Sequence, residues 1–150
     1  MIHLEGEKTF DLPAARLHAK FTDLRYLSTT LPDVAEVKSI TDKAAELVIR
    51  PKLGFIGGSL RLTIEKLSEE AAKSASMRLV TKGIGSSATV LASYTLEETA
   101  GRTLMRWQAD VQEMGGLLKA VPSGLMKGSA QSVISGLLDS LEKELKQGEP

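Results

Sequence analysis

The feature that most constrains this chain is a long stretch of alternating apolar and polar residues, 34–113, followed by one amphipathic helix pattern at 117–145. Alternation with a period of two predicts strands that have one apolar face, and the spacing of three and four predicts a helix with one apolar stripe. Neither surface can be buried alone, so the sheet and the helix must cover each other. What lies between them, packed side chains or a vacant pocket, decides what the protein does.

The order of elements predicts an α+β chain that forms a single domain over 1–150. Two short helices, at 14–22 and 23–31, follow the first strand, and the second helix ends before Pro32 because a proline disfavours helical angles in the residue before it. Short connections favour an antiparallel meander, since parallel neighbours require crossover helices. The alternation predicts about seven strands, at 2–11, 34–41, 45–53, 59–67, 74–83, 86–96 and 103–113.

The covered face of this sheet carries many small residues. They are Ala75, Gly83, Ala88, Ala92 and Ala109, mixed among larger apolar side chains. A packed interior reaches its density with larger side chains. The pattern therefore suggests space under the helix.

The predicted final helix has irregular features at its start and along one row. Gly115-Gly116 predicts a flexible junction before it, and Pro122 predicts a kink or the end of a first short turn. A thin row of small residues allows two interpretations, close approach of the helix backbone to the sheet, or room for a ligand or a hinge. The row comprises Gly124, Gly128, Ser132 and Ser135.

Composition excludes several classes of function. Nineteen basic and nineteen acidic residues cancel, so the electrostatic basis of nucleic-acid binding is missing. The chain has no cysteine, which excludes thiol catalysis, iron-sulfur clusters and thiolate zinc sites. No apolar run approaches the ~20 residues of a membrane span, and the first residues do not resemble a secretory signal. We expect a cytoplasmic protein.

Catalytic and metal-binding patterns are weak. His3 is predicted on the wet face of the first strand and His18 on the first helix, and no carboxylate spacing around either suggests a metal site. The glycines at 54–58 lack the lysine and hydroxyl residue of a phosphate-binding loop. We therefore predict no catalytic residue, no metal site and no cofactor.

Four short motifs along the chain point to a known family. They are Leu4-Glu5-Gly6-Glu7, Leu31-Pro32-Asp33-Val34, the glycine-bearing hairpin at 52–57, and Gly115-Gly116-Leu117. Together they resemble the G-subunit family of carbon monoxide dehydrogenase, within the START-like, birch-pollen-allergen-like helix-grip superfamily. The departures are Asp33, where the family often has glycine, and Glu113, at a position that is commonly apolar.

The resemblance implies a helix-grip fold, in which a curved antiparallel sheet wraps around a long C-terminal helix. It implies a pocket for an apolar molecule such as a lipid or a quinone. It further implies an accessory role that helps a molybdenum hydroxylase of the carbon monoxide dehydrogenase type to reach the membrane or its quinone pool, with transient contact to the membrane surface.

The hypothesis is therefore a binding protein for a hydrophobic small molecule. Tyr94 and Trp107 could each pack a ring and offer one hydrogen bond to a carbonyl-bearing ligand. Two alternatives stay open: an enzyme of the cyclase and aromatase kind, whose candidate acid or base groups are Glu113, Tyr94 and Arg50, and an interaction module without a ligand. The predicted ligand-binding residues are Leu47, Ile49, Leu62, Met77, Val90, Tyr94, Trp107, Leu118, Val121 and Leu125.

Overall fold

A computed structural model describes residues 2–31, 33–50, 58–83, 85–116, 119 and 122–147. Two short helices follow the first strand, and one long helix follows the last. The strands are β1 (Ile2–Phe10), β2 (Val34–Ile40), β3 (Ala44–Ile49), β4 (Leu60–Glu70), β5 (Ser74–Gly83), β6 (Ser86–Thr99) and β7 (Arg102–Gly116); the helices are α1 (Ala14–Phe21), α2 (Leu24–Thr30) and α3 (Ser123–Gln147).

The seven strands form one antiparallel sheet in the order β1-β7-β6-β5-β4-β3-β2. The predicted α+β helix-grip architecture is therefore confirmed. Neighbours in sequence are neighbours in space except for β1, which pairs with β7 and leaves β1 and β2 at the edges. Edge strand β2 is irregular, with register shifts on either side of Val37, and such irregularities discourage pairing with another chain.

The two short helices begin in different ways. Asp23 caps α2 as a local signal, because its Oδ1 accepts hydrogen bonds from the backbone N–H groups of Arg25 and Tyr26 at 3.0 and 3.3 Å. The cap of α1 comes from a distant residue, because Pro13 at the N-cap position provides no side-chain hydrogen bond. The Ala14 N–H donates to Oε1 of Glu98 on β6 at 2.7 Å, so a residue of the sheet caps the N-terminus of this helix.

The double glycine is not the flexible junction predicted from the sequence. Gly115 and Gly116 are the last residues of β7 and pair with Ser87 and Ser86. A Cβ atom at Gly116 would lie 1.5 Å from the carbonyl oxygen of Gly85, and its φ is +63°. Glycine is required there by close backbone packing.

Two other predicted features have clear positions. Pro122 immediately precedes α3, and its carbonyl accepts from the N–H groups of Leu125 and Met126 at 3.1 Å each, so the proline starts the described helix. Asp33 adopts φ +65°, a left-handed conformation that glycine adopts without steric cost and aspartate tolerates. This explains why a glycine suits that turn. The hairpin predicted at 52–57 lies outside the described residues.

The interior divides into three apolar clusters. The first joins α1, β1, β6 and β7 to the second half of α3, with Leu17 and Leu141 fully buried. The second packs α2 on β3 and β4, around Leu47. The third packs the first half of α3 against Leu4 and its neighbours on β1 and β7. The long helix therefore lies toward the β1 side of the sheet, and α2 covers the other side.

Candidate functional site

An apolar cavity of about 160 Å³ lies between the middle of the sheet and α3. Its sheet wall contains small residues, since Ala92 pairs directly with Ala109 across β6 and β7, and Ala75 on β5 lies opposite Tyr94. The helix contributes Ile134, Leu137, Leu138 and Leu141, and Phe21 and Leu27 close it from α1 and α2. The small residues noted in the sequence therefore do border a space under the helix.

Trp107 forms one wall of this cavity, and its position depends on Gly6. The two residues pair directly between β1 and β7. A Cβ atom at Gly6 would lie 2.7 Å from Cζ2 of the indole and 3.0 Å from its Nε1, closer than side-chain atoms normally approach. The absence of a side chain at Gly6 therefore leaves the room that the indole ring occupies.

Tyr94 lies on the cavity wall, but its hydroxyl group is already used. It donates to Nδ1 of His18 at 2.9 Å, and Nε2 of His18 donates to Oε1 of Glu69 at 3.0 Å. His18 is 5% exposed, so these two hydrogen bonds satisfy both nitrogens of a buried imidazole. Burial, followed by the charge of Glu69, raises the pKa of the Tyr94 hydroxyl. Tyr94 thus offers the cavity its ring and not the hydrogen bond predicted from the sequence.

The His18–Glu69 contact was missed because its partners are far apart in sequence. The spacing of carboxylates around His18 carries no sign of it, and Glu69 reaches the ring from the end of β4. His3 is on the wet face as predicted and contacts Asp110 and Glu5. The hydrogen bond that His3 donates to Asp110, and then the one that it donates to Glu5, raise the pKa of His3.

The predicted ligand-binding residues fall in several places. Met77, Tyr94 and Trp107 line the cavity. Leu47, Ile49 and Leu62 belong to the cluster under α2, and Val90 to the cluster under the first half of α3. Leu125 is 50% exposed on α3. Leu118 and Val121 lie outside the described residues. Ligand binding by any of these side chains stays a prediction.

Two of the three candidate catalytic groups are away from the cavity. Glu113 is exposed and pairs with Thr89 in the β6–β7 ladder. Arg50 is exposed, and its Nε donates to Oγ of Ser59 at 3.2 Å. Neither borders the cavity around Tyr94, so the three groups do not form one site.

A second, polar space lies beside the first. This groove, of about 630 Å³, runs between β1 and the helix, and it shares Trp107 and Leu138 with the cavity. Gly128, Ser132 and Ser135 of the predicted small-residue row border it. A Cβ atom at Gly124 or Gly128 would meet no described atom within 4 Å. The interpretation of the row as close helix packing is therefore wrong; the row borders open space.

The two halves of α3 are held differently. The second half is fixed by Lys8, whose Nζ lies 2.9 Å from Oδ1 of Asp139 and 3.3 Å from Oε1 of Glu142. Arg16 donates to the carbonyl of Leu145 at 2.9 Å, and the hydroxyl of Tyr26 donates to Glu144. No comparable polar contact to the sheet is present in the described part of the first half, where Leu125 is half exposed.

Two further absences apply to the described residues. No group of three or more histidine or acidic side chains there is placed to hold a metal ion. None of the described helices combines the length and the apolar character that crossing a membrane requires.

Solved structures share this fold across nearly the whole chain. A conserved protein from Geobacillus kaustophilus superposes with a TM-score of 0.89 at 15% identity, covering 97% of this chain and 96% of its own. A START superfamily protein from Mycobacterium smegmatis gives 0.70 at 13% identity, with 97% of each chain covered. The protein Ara h 8.0201 gives 0.71 at 14% identity, covering 98% and 99%. These similarities establish the fold.

Sequence comparison identifies the family. No curated protein sequence matches significantly. The family model described as the G-subunit of carbon monoxide dehydrogenase (CoxG) matches residues 6–146, which include Gly6, Trp107 and almost all of α3. The chain therefore belongs to the CoxG family, the G-subunit family of carbon monoxide dehydrogenase.

Proposed function

We propose that this protein binds a hydrophobic small molecule, of the lipid or quinone kind, between the sheet and α3. The observation that carries the proposal is the apolar cavity bordered by three alanines. An apolar cavity of about 150 Å³ is large enough to hold a benzene-sized molecule. Burying about 200 Å² of apolar ligand surface corresponds to about 5 kcal/mol before the costs of association.

The size of the cavity limits what can enter it without movement. Typical ligand pockets measure about 300–1,000 Å³, so about 160 Å³ accommodates one ring or a short alkyl segment. A longer molecule has to extend into the neighbouring groove or displace the first half of α3. The weaker anchoring of that half supports the second route.

We favour binding over catalysis because the candidate acid and base groups do not meet. Glu113 and Arg50 lie outside the cavity, and the hydroxyl of Tyr94 is engaged by His18. The description of the family suggests, as a further proposal, that the protein is a cytoplasmic accessory of a molybdenum hydroxylase and approaches the membrane surface transiently. Co-purification of the tagged protein with hydroxylase subunits from its own cells tests that role.

Native mass spectrometry tests the binding proposal directly. We expect the purified protein to retain a hydrophobic molecule or to take up added decylubiquinone in a one-to-one complex. Ala92→Phe should abolish uptake, because the added ring fills the cavity. The control is Thr95→Phe, at an exposed position on the same strand, which should bind normally. Absence of uptake by the folded wild type would favour the interaction module without a ligand.

A further inference from the structure

The groove beside the cavity has the composition of a site for the polar end of a ligand. The cavity wall is almost entirely apolar, whereas serine hydroxyls, the Gln131 amide and several charged groups border the groove. Trp107 and Leu138 border both spaces. An amphipathic molecule could therefore place its apolar part in the cavity and its polar end in the groove.

Trp107 supplies a free hydrogen-bond donor at this boundary. Among the described residues, no acceptor forms a hydrogen bond with its Nε1–H group. The Nε1 edge of the ring lies over Gly6, which itself borders the groove. No buried side-chain nitrogen or oxygen among the described residues lacks a hydrogen-bond partner, so this N–H group is accessible from the open space, where an acceptor on a ligand can reach it.

The charges around the groove select the kind of acceptor. Glu5, Glu7 and Asp139 border it, and Lys8 is the basic group among the described residues that line it. Lys8 is already paired with Asp139 and Glu142. The nearby Arg106 lies 3.3 Å from Glu7, and His3 lies 3.4 Å from Glu5. The surplus of carboxylates opposes an anionic group.

We propose that the groove holds the uncharged polar end of an amphipathic ligand, that Trp107 Nε1–H donates to a carbonyl-type acceptor there, and that the acidic border disfavours carboxylate or phosphate head groups. This inference rests on the proposed function, because it assumes that the apolar part of the ligand occupies the cavity. It adds the chemical class of the polar end and names Trp107, Glu5 and Glu7 as its specificity determinants.

Three ring compounds of similar shape separate the apolar contact, the hydrogen bond from Trp107 and the repulsion of an anion. They are ethylbenzene, acetophenone and benzoate. Each is titrated at pH 7.5 into ¹⁵N-labelled protein, and binding is followed by NMR. Acetophenone should move the indole N–H proton of Trp107, the single tryptophan, downfield, whereas ethylbenzene should not. Trp107→Phe should weaken acetophenone binding about fivefold more than it weakens ethylbenzene binding, as expected for one lost hydrogen bond, because both compounds lose the same apolar contact with this wall of the cavity.

Glu5→Gln/Glu7→Gln tests the acidic border. One carboxylate about 8 Å from an anion weakens its binding about fivefold at an effective dielectric constant of about 40. The double variant should therefore strengthen benzoate binding at least about fivefold and leave the affinity for acetophenone unchanged. Both carboxylates are largely exposed, with side chains 74% and 62% accessible, so the variant should fold.

The outcomes distinguish the two proposals. If ethylbenzene fails to bind the folded wild type, the cavity is not a binding site, and both proposals are rejected. Two results with a folded protein that binds ethylbenzene would reject this inference alone, because the polar end would then not lie in the groove. One is that Trp107→Phe weakens the binding of ethylbenzene and of acetophenone equally. The other is that the double variant leaves the affinity for benzoate unchanged.

Discussion

Two glycines show how the surroundings of a residue decide its role. A Cβ atom at Gly6 would collide with the indole ring of Trp107, whereas one at Gly136, within α3, would meet no described atom within 4 Å. The residue type is the same, but Gly6 makes room for a wall of the cavity and Gly136 only weakens a helix.

The same substitution should therefore have opposite effects at these two positions. We expect Gly6→Ala to lower the free energy of unfolding by about 1–3 kcal/mol, because the ring must shift. Gly136→Ala should raise it by about 0.5–1 kcal/mol through helix propensity. Urea denaturation followed by circular dichroism measures both, and a neutral Gly6→Ala would contradict the close contact.

The two tyrosines should both resist ionisation in the folded protein. Burial, with a smaller contribution from Glu144, raises the pKa of Tyr26 to about 12, and burial also raises the pKa of Tyr94. A raised pKa means that the folded state holds the proton more tightly than the unfolded state. The stabilisation is complete below pH 10, the ordinary tyrosine value, and is lost progressively as pH rises above it.

Absorbance at 295 nm follows this titration. Native protein should show little phenolate at pH 10, while protein in urea should be half ionised there. Tyr94→Phe should leave one native transition, that of Tyr26 near pH 12. A native transition centred at pH 10 would mean that the ring in question is not buried as described.

At the scale of elements, an ion pair joins edge strand β1 to the long helix. Lys8 is on the inward face of β1, where a charge interrupts the apolar pattern, and its Nζ lies over the ring of Phe10, 5.5 Å from the ring centroid. The side chain of its partner Glu142 is 23% exposed and that of Asp139 is 71% exposed. Glu142 should therefore contribute more, because water screens it less.

A double-mutant cycle measures this contribution. Lys8→Met keeps the apolar stem, and combined with Glu142→Gln it should give a coupling energy of about 0.5–1 kcal/mol that decreases in 1 M salt. The control pair is Lys73 and Glu70, whose side chains are 71% and 67% exposed and whose coupling should be close to zero. Equal coupling in both pairs would show that Lys8 does not hold the helix specifically.

At the scale of the whole molecule, the fold combines a firmly packed end with a loosely held one. Leu138, Leu141 and Leu145 are buried among α1, β1 and β7, whereas the described first half of α3 contains an exposed leucine and open glycines. Local opening is easiest where few apolar contacts must be broken. The first half of the helix is therefore the natural route into the cavity.

Hydrogen exchange should show this difference. We expect amides at 127–132 to exchange at least tenfold faster than those at 138–145, a difference of about 1.4 kcal/mol in opening free energy. Saturating decylubiquinone should slow the first group and leave the second nearly unchanged. Uniform protection along α3 would contradict entry by this route.

The sequence by itself determined the elements and their faces. Period two and periods of three and four are local properties, so they correctly predicted seven strands, two short helices and the long final helix. Small residues such as Ala92 correctly indicated space beside the sheet. Chain order and short connections correctly predicted the antiparallel arrangement.

The tertiary structure alone decided which distant residues meet. Gly6 accommodates Trp107, Glu98 caps α1, and Glu69 binds His18; no local pattern encodes these pairs. The position of α3 toward β1 also decided that Met77 borders the cavity while Leu62 packs under α2. The physical reason is that propensity and periodicity act over a few residues, whereas a cavity is defined by the packing of all the elements around it.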